Sequence, residues 1–397
     1  MQEEPTVSMS IRPKATNTKY ATPGNAMISA AASIVAAAVF VFCLSYFAIP
    51  SLLSVSYSEN SNASSTPGSV FNPIPPLDKT EYDQKLLFLA HVATSSPWYY
   101  AFLSGTTTVT LPGATTTTYV KPKSWPAQAP YPADSRALLP FNRIVSYYGN
   151  FYSKNMGVLG QYPEDEMLRR LASTTAQWAA ADPTTPVIPA IHYIAIVAQG
   201  AAGKDGKYRA VMPDDQVDYA ISLANRIHGI TFLDLQVGLS DIETELPKFE
   251  KYLSMDRVEV GLDPEFAMKT SGYAPGRYIG TLDAKDINWA INYLSQIVEK
   301  NNLPPKILMI HRFTMDMVTN YKQIKPTPQV QFVMDMDGWG TQARKLNTYE
   351  LAVEGQPVQF TGFKLFYKND LLPPSEGMLT PKQVLKLTPA PIYIQYQ

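Results

Sequence analysis

Asp263 and Glu265 flank Pro264 at the end of a stretch in which Val258, Val260 and Leu262 alternate with Glu259, Gly261 and Asp263. That alternation is the period of a strand. Continued at the same period, Gly261, Asp263 and Glu265 share one face, a position without a side chain followed by two carboxylates about 7 Å apart. Two acids so placed suit an acid/base or acid/nucleophile pair for hydrolysis. Pro264 removes a backbone donor, which predicts that the strand ends there. The plainer reading is a strand terminus at which Asp263 caps the following loop.

The elements needed to position this pair recur along the chain. From Phe141 onward an apolar strand alternates with a segment of helical period. The predicted strands are 143–149, 187–197, 229–237, 257–263, 306–312, 330–337, 359–366 and 391–396. Helices are predicted over 164–180, 214–228, 242–253, 284–301, 315–323, 341–353 and 382–387. Pro163 and Pro213 are read as first-turn prolines, Gly229 as the residue closing the second helix, and Thr380 with Pro381 as the start of the last. Eight such units over roughly 250 residues predict an α/β fold, a (β/α)8 TIM barrel spanning 141–397. An open doubly wound sheet would want a Gly-rich phosphate loop after its first strand, and Tyr148, Gly149, Asn150 and Phe151 do not supply one.

In such barrels the chemistry sits at the C-terminal ends of the strands. The polar residues there are Tyr148, His192, Asp234 with Gln236, Asp263 with Glu265, His311, Asp335 with Asp337, Lys364 and Gln395. Every strand thus offers a group able to donate, accept or exchange a proton, which a packed apolar interior does not require. Carboxylates dominate, and Tyr193, Phe266, Phe313 and Trp339 lie beside them. That mixture fits glycoside hydrolysis, with Glu265 as proton donor and its pKa raised by Asp263 and partial burial. Asp263 would orient it or stabilise positive charge. Asp234, Asp335 and Asp337 are candidates for the second carboxylate, and Tyr148, His192, Gln236, His311, Trp339, Lys364 and Gln395 for binding the sugar. No cofactor is expected. A different reading uses His192, Asp234, Asp263, Glu265 and His311 as ligands for metal-dependent hydrolysis, although no H-x-H or H-E-x-x-H pattern supports it. The absence of G-x-S-x-G argues against a serine esterase.

The rest of the chain sets the location. No charged residue occurs between Lys19 and Glu59, and Ile28 to Leu53 is almost wholly apolar. Arg12, Lys14 and Lys19 lie only on the N-terminal side, so the positive-inside rule places residues 1–26 in the cytoplasm, an uncleaved transmembrane anchor over 27–53, and the remainder outside. A cleavage site at Ser54–Ser56 is weak, and bulky Phe40, Val41 and Phe42 disfavour lipid attachment at Cys43, the only cysteine. Residues 54–77 read as a Ser/Asn/Pro-rich disordered stalk. Residues 78–140 read as an N-terminal extension with a helix near Lys85–Val92 and a threonine-rich hairpin, in which Trp98, Tyr99, Tyr100 and Trp125 are expected to pack the extension onto its domain rather than to stack on a sugar ring. A net charge of −1 without a basic run argues against nucleic acid as a partner. The expected partners are a glycan or cell-wall polymer and, through the anchor, the lipid bilayer.

Two limited resemblances bear on these expectations. An acid two residues before Glu265 at the end of the fourth strand resembles barrel-type muramidases and chitinase-like glycoside hydrolases, which implies Glu265 as the proton donor. The closing Ile392-Tyr393-Ile394-Gln395-Tyr396 is similar to the final strand of those muramidases. The chain departs from both: the D-x-x-D-x-D-x-E pattern is missing, and Tyr147 and Tyr148 stand where the muramidases carry a first-strand aspartate. Over more of its length the chain resembles uncharacterised bacterial envelope-anchored barrel proteins. Gly157–Gly160, Val187–Ala190, Asp234–Gly238, Gly261–Glu265 and Asp335–Gly338 carry that likeness. It implies an envelope barrel and brings no activity with it. The missing first-strand acid motivates a second expectation, a glycan-binding or scaffolding barrel that has lost turnover.

Overall fold

Eight short strands, each buried on both faces, close into one parallel barrel. The computed structural model describes residues 74–397, so the expected tail, anchor and most of the stalk lie outside the described residues. The barrel strands are Arg143–Gly149, Val187–Ala198, Ile230–Leu235, Val258–Leu262, Lys306–Arg312, Val330–Met336, Phe360–Leu365 and Tyr393–Tyr396. Neighbours in sequence pair in parallel, and the eighth strand pairs with the first, Tyr393 opposite Ile144. This is the (β/α)8 arrangement expected from the alternation of strands and helices. Outward Val145, Ile191, Leu233, Val260 and Ile310 pack under the helices. Inward Ile144, Ala190, Phe232, Met309 and Val333 fill the lower half of the barrel. Burial on both faces is why these strands read as nearly continuous apolar runs.

The N-terminal extension forms the floor of that interior. Its helix runs Lys79–Leu89, earlier than expected, because the Asp78 side chain accepts the Glu81 N–H and caps it there. Tyr82, Leu89 and Leu139 join the inner apolar cluster, and Ala390 N–H donates to the Leu89 carbonyl. A helix over Pro97–Ser104 was not anticipated, whereas the hairpin pairs Thr108–Thr110 with Thr117–Tyr119 as read. Trp98 and Trp125 are buried, and each indole N–H finds a carbonyl, of Trp125 and Glu354 respectively. Packing is their role. Among the described residues no helix is long and apolar enough to cross a membrane.

Three helix expectations need correction. The segment 315–323 is not a helix but two 3-10 turns around the short strand Val318–Thr319. Arg312 accounts for this: its guanidinium takes the carbonyls of Thr314, Met315 and Val318, which an α-helix would need for itself. Pro247 breaks 242–253 into two single α-turns bridged by a 3-10 turn. Gly229 is not the C′ residue, although its N–H donates to the Ala224 carbonyl at 2.8 Å. His228 takes the left-handed conformation at φ 53°, and Gly229 serves close packing, since a Cβ there would strike the Pro189 carbonyl. Pro163 and Pro213 stand one residue before the positions read for them, at the caps of Glu164–Ala181 and Asp214–Arg226.

Candidate functional site

Above the apolar floor, the inward positions turn polar on every strand. Tyr148, His192, Asp234, Asp263, His311, Asp335, Lys364 and Gln395 are all buried. Two strands make room for them by carrying glycine. A Cβ on Gly261 would lie 2.5 Å from Asp234 Oδ1 and 2.6 Å from His192 Nε2, and one on Gly362 would strike Asp335. The side-chain-free position in the fourth strand therefore has a direct use.

The deepest layer is a connected polar network. Tyr148 donates its hydroxyl to Asp234 Oδ2 at 2.9 Å. His192 Nε2 and His311 Nε2 approach Asp234 Oδ1 to 3.4 and 3.3 Å. His311 Nδ1 faces Asp337 Oδ2 at 3.0 Å, and Lys364 Nζ lies 2.9 Å from Asp337 Oδ1. On the other flank, His192 Nδ1 meets the Tyr393 hydroxyl at 2.6 Å, which also receives Ser146 and Gln395. Tyr393 was not singled out in the sequence, although it stands two residues before Gln395 on the same strand, and that period would have placed it beside Gln395.

Over this layer opens a cavity of about 400 Å³ at the C-terminal mouth. Tyr148, Gln236, Asp263, Glu265, Asp337 and Lys364 give it polar groups, while Phe266, Phe313, Trp339 and Phe366 give it apolar walls. Trp339 is 48% exposed, with the Arg344 guanidinium 5.8 Å from its ring. Arg344 lies on the helix after the sixth strand, where no sequence period flags it. Of the expected site residues, His192, Asp234, His311, Asp335 and Gln395 do not line this cavity.

The pair that opens the sequence argument is arranged differently from the expectation. The strand stops at Leu262, and Pro264–Phe266 is a 3-10 turn, so Asp263 and Glu265 do not share a strand face. Asp263 Oδ1 accepts the Glu265 N–H at 3.1 Å, and Oδ2 receives Gln236 Nε2 at 3.3 Å. The capping reading is met by Oδ1, and the same side chain lines the cavity. Burial pushes the Asp263 carboxyl well above the usual carboxylate range, with His311 opposing and Asp234 and Glu265 adding to the rise. Through that hydrogen bond Asp263 positions the Glu265 backbone. Glu265 is also raised, by burial first and then by Asp337 rather than by Asp263.

The other groups divide between charged and neutral. Burial opposes charge on Asp337 and on Asp234, yet Lys364 and His311 hold Asp337 below its ordinary value, and His311 and His192 do the same for Asp234. For His311, burial is outweighed by Asp337 and Asp234, which favour the imidazolium. His192 is lowered to about 4 by burial and stays neutral, and burial lifts Asp335 to about 7. Of the five residues read as a metal set, His192, Asp234 and His311 come together, while Asp263 and Glu265 stand apart from them.

Comparisons with known proteins stop at the fold. No protein-family model and no curated protein sequence matches this chain. Two solved structures of Bacillus subtilis mannanase are similar in outline. One shows 13% identity and a TM-score of 0.35 over 68% of this chain and 88% of that one. The other shows 12% and 0.34 over 65% and 81%. The N-terminal domain of a putative aldolase from Bacteroides vulgatus shows 11% and 0.30 over 64% and 72%. At these values none of them assigns a chemistry to this chain.

Proposed function

We propose that the mouth of the barrel hydrolyses a glycosidic bond in an envelope or environmental glycan, with Glu265 as general acid and Asp337 as the second carboxylate. The observation that carries this reading is the contrast between two acids lining one cavity. Among the described residues Glu265 has no cation within salt-bridge distance and it is half-buried, whereas Asp337 is fixed between Lys364 and His311. Two carboxyl groups in unlike surroundings, one favouring the proton and one favouring the charge, are what glycosidic cleavage requires. Asp234 and Asp335, the other candidates for the second acid, sit beneath the cavity, and this favours Asp337. The walls of Phe313 and Trp339 suit the apolar face of a sugar ring, and Gln236 and Lys364 suit its hydroxyls.

The test is release of reducing ends from a panel of polysaccharides, peptidoglycan included. Glu265→Gln is expected to lower kcat by roughly 100-fold or more with KM little changed. Unchanged turnover in that variant removes Glu265 from the role. Retention of the wild type on a polymer with no product after long incubation leaves the non-catalytic binding barrel as the answer.

A further inference from the structure

The structure assigns a divalent transition-metal site, of the kind zinc occupies, to His192 Nε2, Asp234 Oδ1 and His311 Nε2, buried beneath the cavity. These three atoms lie within 4.8 Å of one another, and among the described residues none makes a well-formed hydrogen bond beyond the 3.3 and 3.4 Å approaches of the two imidazoles to Asp234 Oδ1, although their residues are fully buried. Buried polar atoms are almost always satisfied, so three poorly satisfied ones gathered together indicate a missing ligand. Two histidines and a carboxylate are a donor set that zinc accepts. The spacing agrees. Four ligands at zinc bond lengths form a tetrahedron with edges of about 3.3 to 3.4 Å. The two measured edges to Asp234 Oδ1 are 3.4 Å from His192 and 3.3 Å from His311.

Gly261 supplies the room. It sits on the fourth strand, between the third, which carries Asp234, and the fifth, which carries His311. Any side chain there would press on Asp234 Oδ1 and His192 Nε2, the atoms that would face the ion. Each ligand is also held from behind, as metal ligands are. Asp234 Oδ2 accepts from Tyr148. His311 Nδ1 faces the Asp337 carboxylate, which holds a proton on Nδ1, so an ion at Nε2 would take the place of the other proton of the imidazolium. His192 Nδ1 meets the Tyr393 hydroxyl. Ser146 Oγ has the Ile394 carbonyl at 3.1 Å as an alternative acceptor. Tyr393 can therefore donate to Ser146 and accept from His192 Nδ1–H, which frees the second Nε2.

The Tyr148 ring closes the site from above. Its centroid lies 5.3 Å from His192 and 5.5 Å from His311, and the same residue lines the cavity. The ion would thus brace the second, third and fifth strands under the cavity floor, without reaching substrate. This inference does not depend on the glycan reading, because it is read out by metal content.

Full-length protein is stripped with a chelator and then dialysed against micromolar Zn2+ or Co2+. The expected result is one ion per chain, a visible Co2+ spectrum of tetrahedral type that Zn2+ abolishes, and a higher unfolding midpoint with Zn2+. Asp234→Asn and His192→Gln lose stoichiometric uptake. Gly261→Ala loses it as well while keeping every ligand, and it decides the matter where a ligand variant fails to fold. Tyr393→Phe retains the ion with affinity lowered by roughly 10- to 100-fold. Glu265→Gln binds as the wild type does. Absence of uptake by the wild type, leaving an imidazolium–carboxylate pair only, overturns the assignment. So does uptake that survives both Asp234→Asn and Gly261→Ala.

Discussion

Replacing Glu259 by glutamine tests whether the lower barrel carries a neutral acid. Glu259 is 2% exposed and points into the interior, where its Oε2 accepts the Ile307 N–H at 2.6 Å. Lys306 and Asp256 are the charged groups that act on it, and the Lys306 ammonium is already engaged by the carbonyls of Met255 and Val258. Burial raises the Glu259 carboxyl from 4.5 to about 7, Lys306 only partly opposing. An acid whose pKa is higher in the folded chain than in the unfolded one binds its proton more tightly when folded. Stability is therefore greatest below the unfolded value and falls as pH rises through the folded one. The interval from 4.5 to about 7 is worth roughly 3 kcal/mol, of which roughly 2.5 kcal/mol falls between about pH 5 and about pH 8. Glutamine keeps an oxygen for Ile307 N–H and removes the titration. Urea unfolding of both proteins at the two pH values gives the answer as a difference of differences, in which every other titrating group cancels. The variant is expected to lose about 2.5 kcal/mol less than the wild type on going from about pH 5 to about pH 8. Equal losses would mean that Glu259 is already ionised against Lys306, and the reasoning would fail.

Lys345 reaches Asp370 at 2.8 Å and the carbonyls of Gly338 and Lys364 at 2.8 Å each, all from a buried position. Lys345→Met strands Asp370 and is expected to cost about 3 to 5 kcal/mol in denaturant unfolding. A cost below about 1 kcal/mol, the range of an exposed pair, would refute a buried clamp. For the location, we propose from the charge asymmetry around the apolar run that the barrel lies outside the cell. External protease on wall-free cells should release a fragment of nearly barrel mass and leave an N-terminal tag with the membrane. Digestion of the tag with the barrel protected would reverse the orientation.

The sequence by itself determined the architecture of residues 141–397. Strands buried on both faces must be apolar along their length, and helices between them must carry a periodic face, so both kinds of segment write their period into the chain. Thr380 could be read as a helix start because a cap acts over one turn of local backbone. The polar residues on the strand ends were legible for the same reason: polarity at an inward position is anomalous and shows against the apolar runs. Periodicity failed where a side chain competed for backbone groups, as Arg312 does just ahead of 315–323.

What only the tertiary structure decided is which of these groups meet. Asp263 and Glu265 are two residues apart and both line the cavity, yet the turn after Leu262 buries Asp263 against Gln236 and leaves Glu265 half-buried. His192, Asp234 and His311 are far apart in the chain and each two residues out of register with the next, and they converge because the closed barrel turns the inward faces of their strands toward each other. Gly261 shows the division most clearly. Its lack of a side chain can be read from the chain, but the space it leaves acquires meaning only from Asp234 and His192, which the second and third strands bring against it.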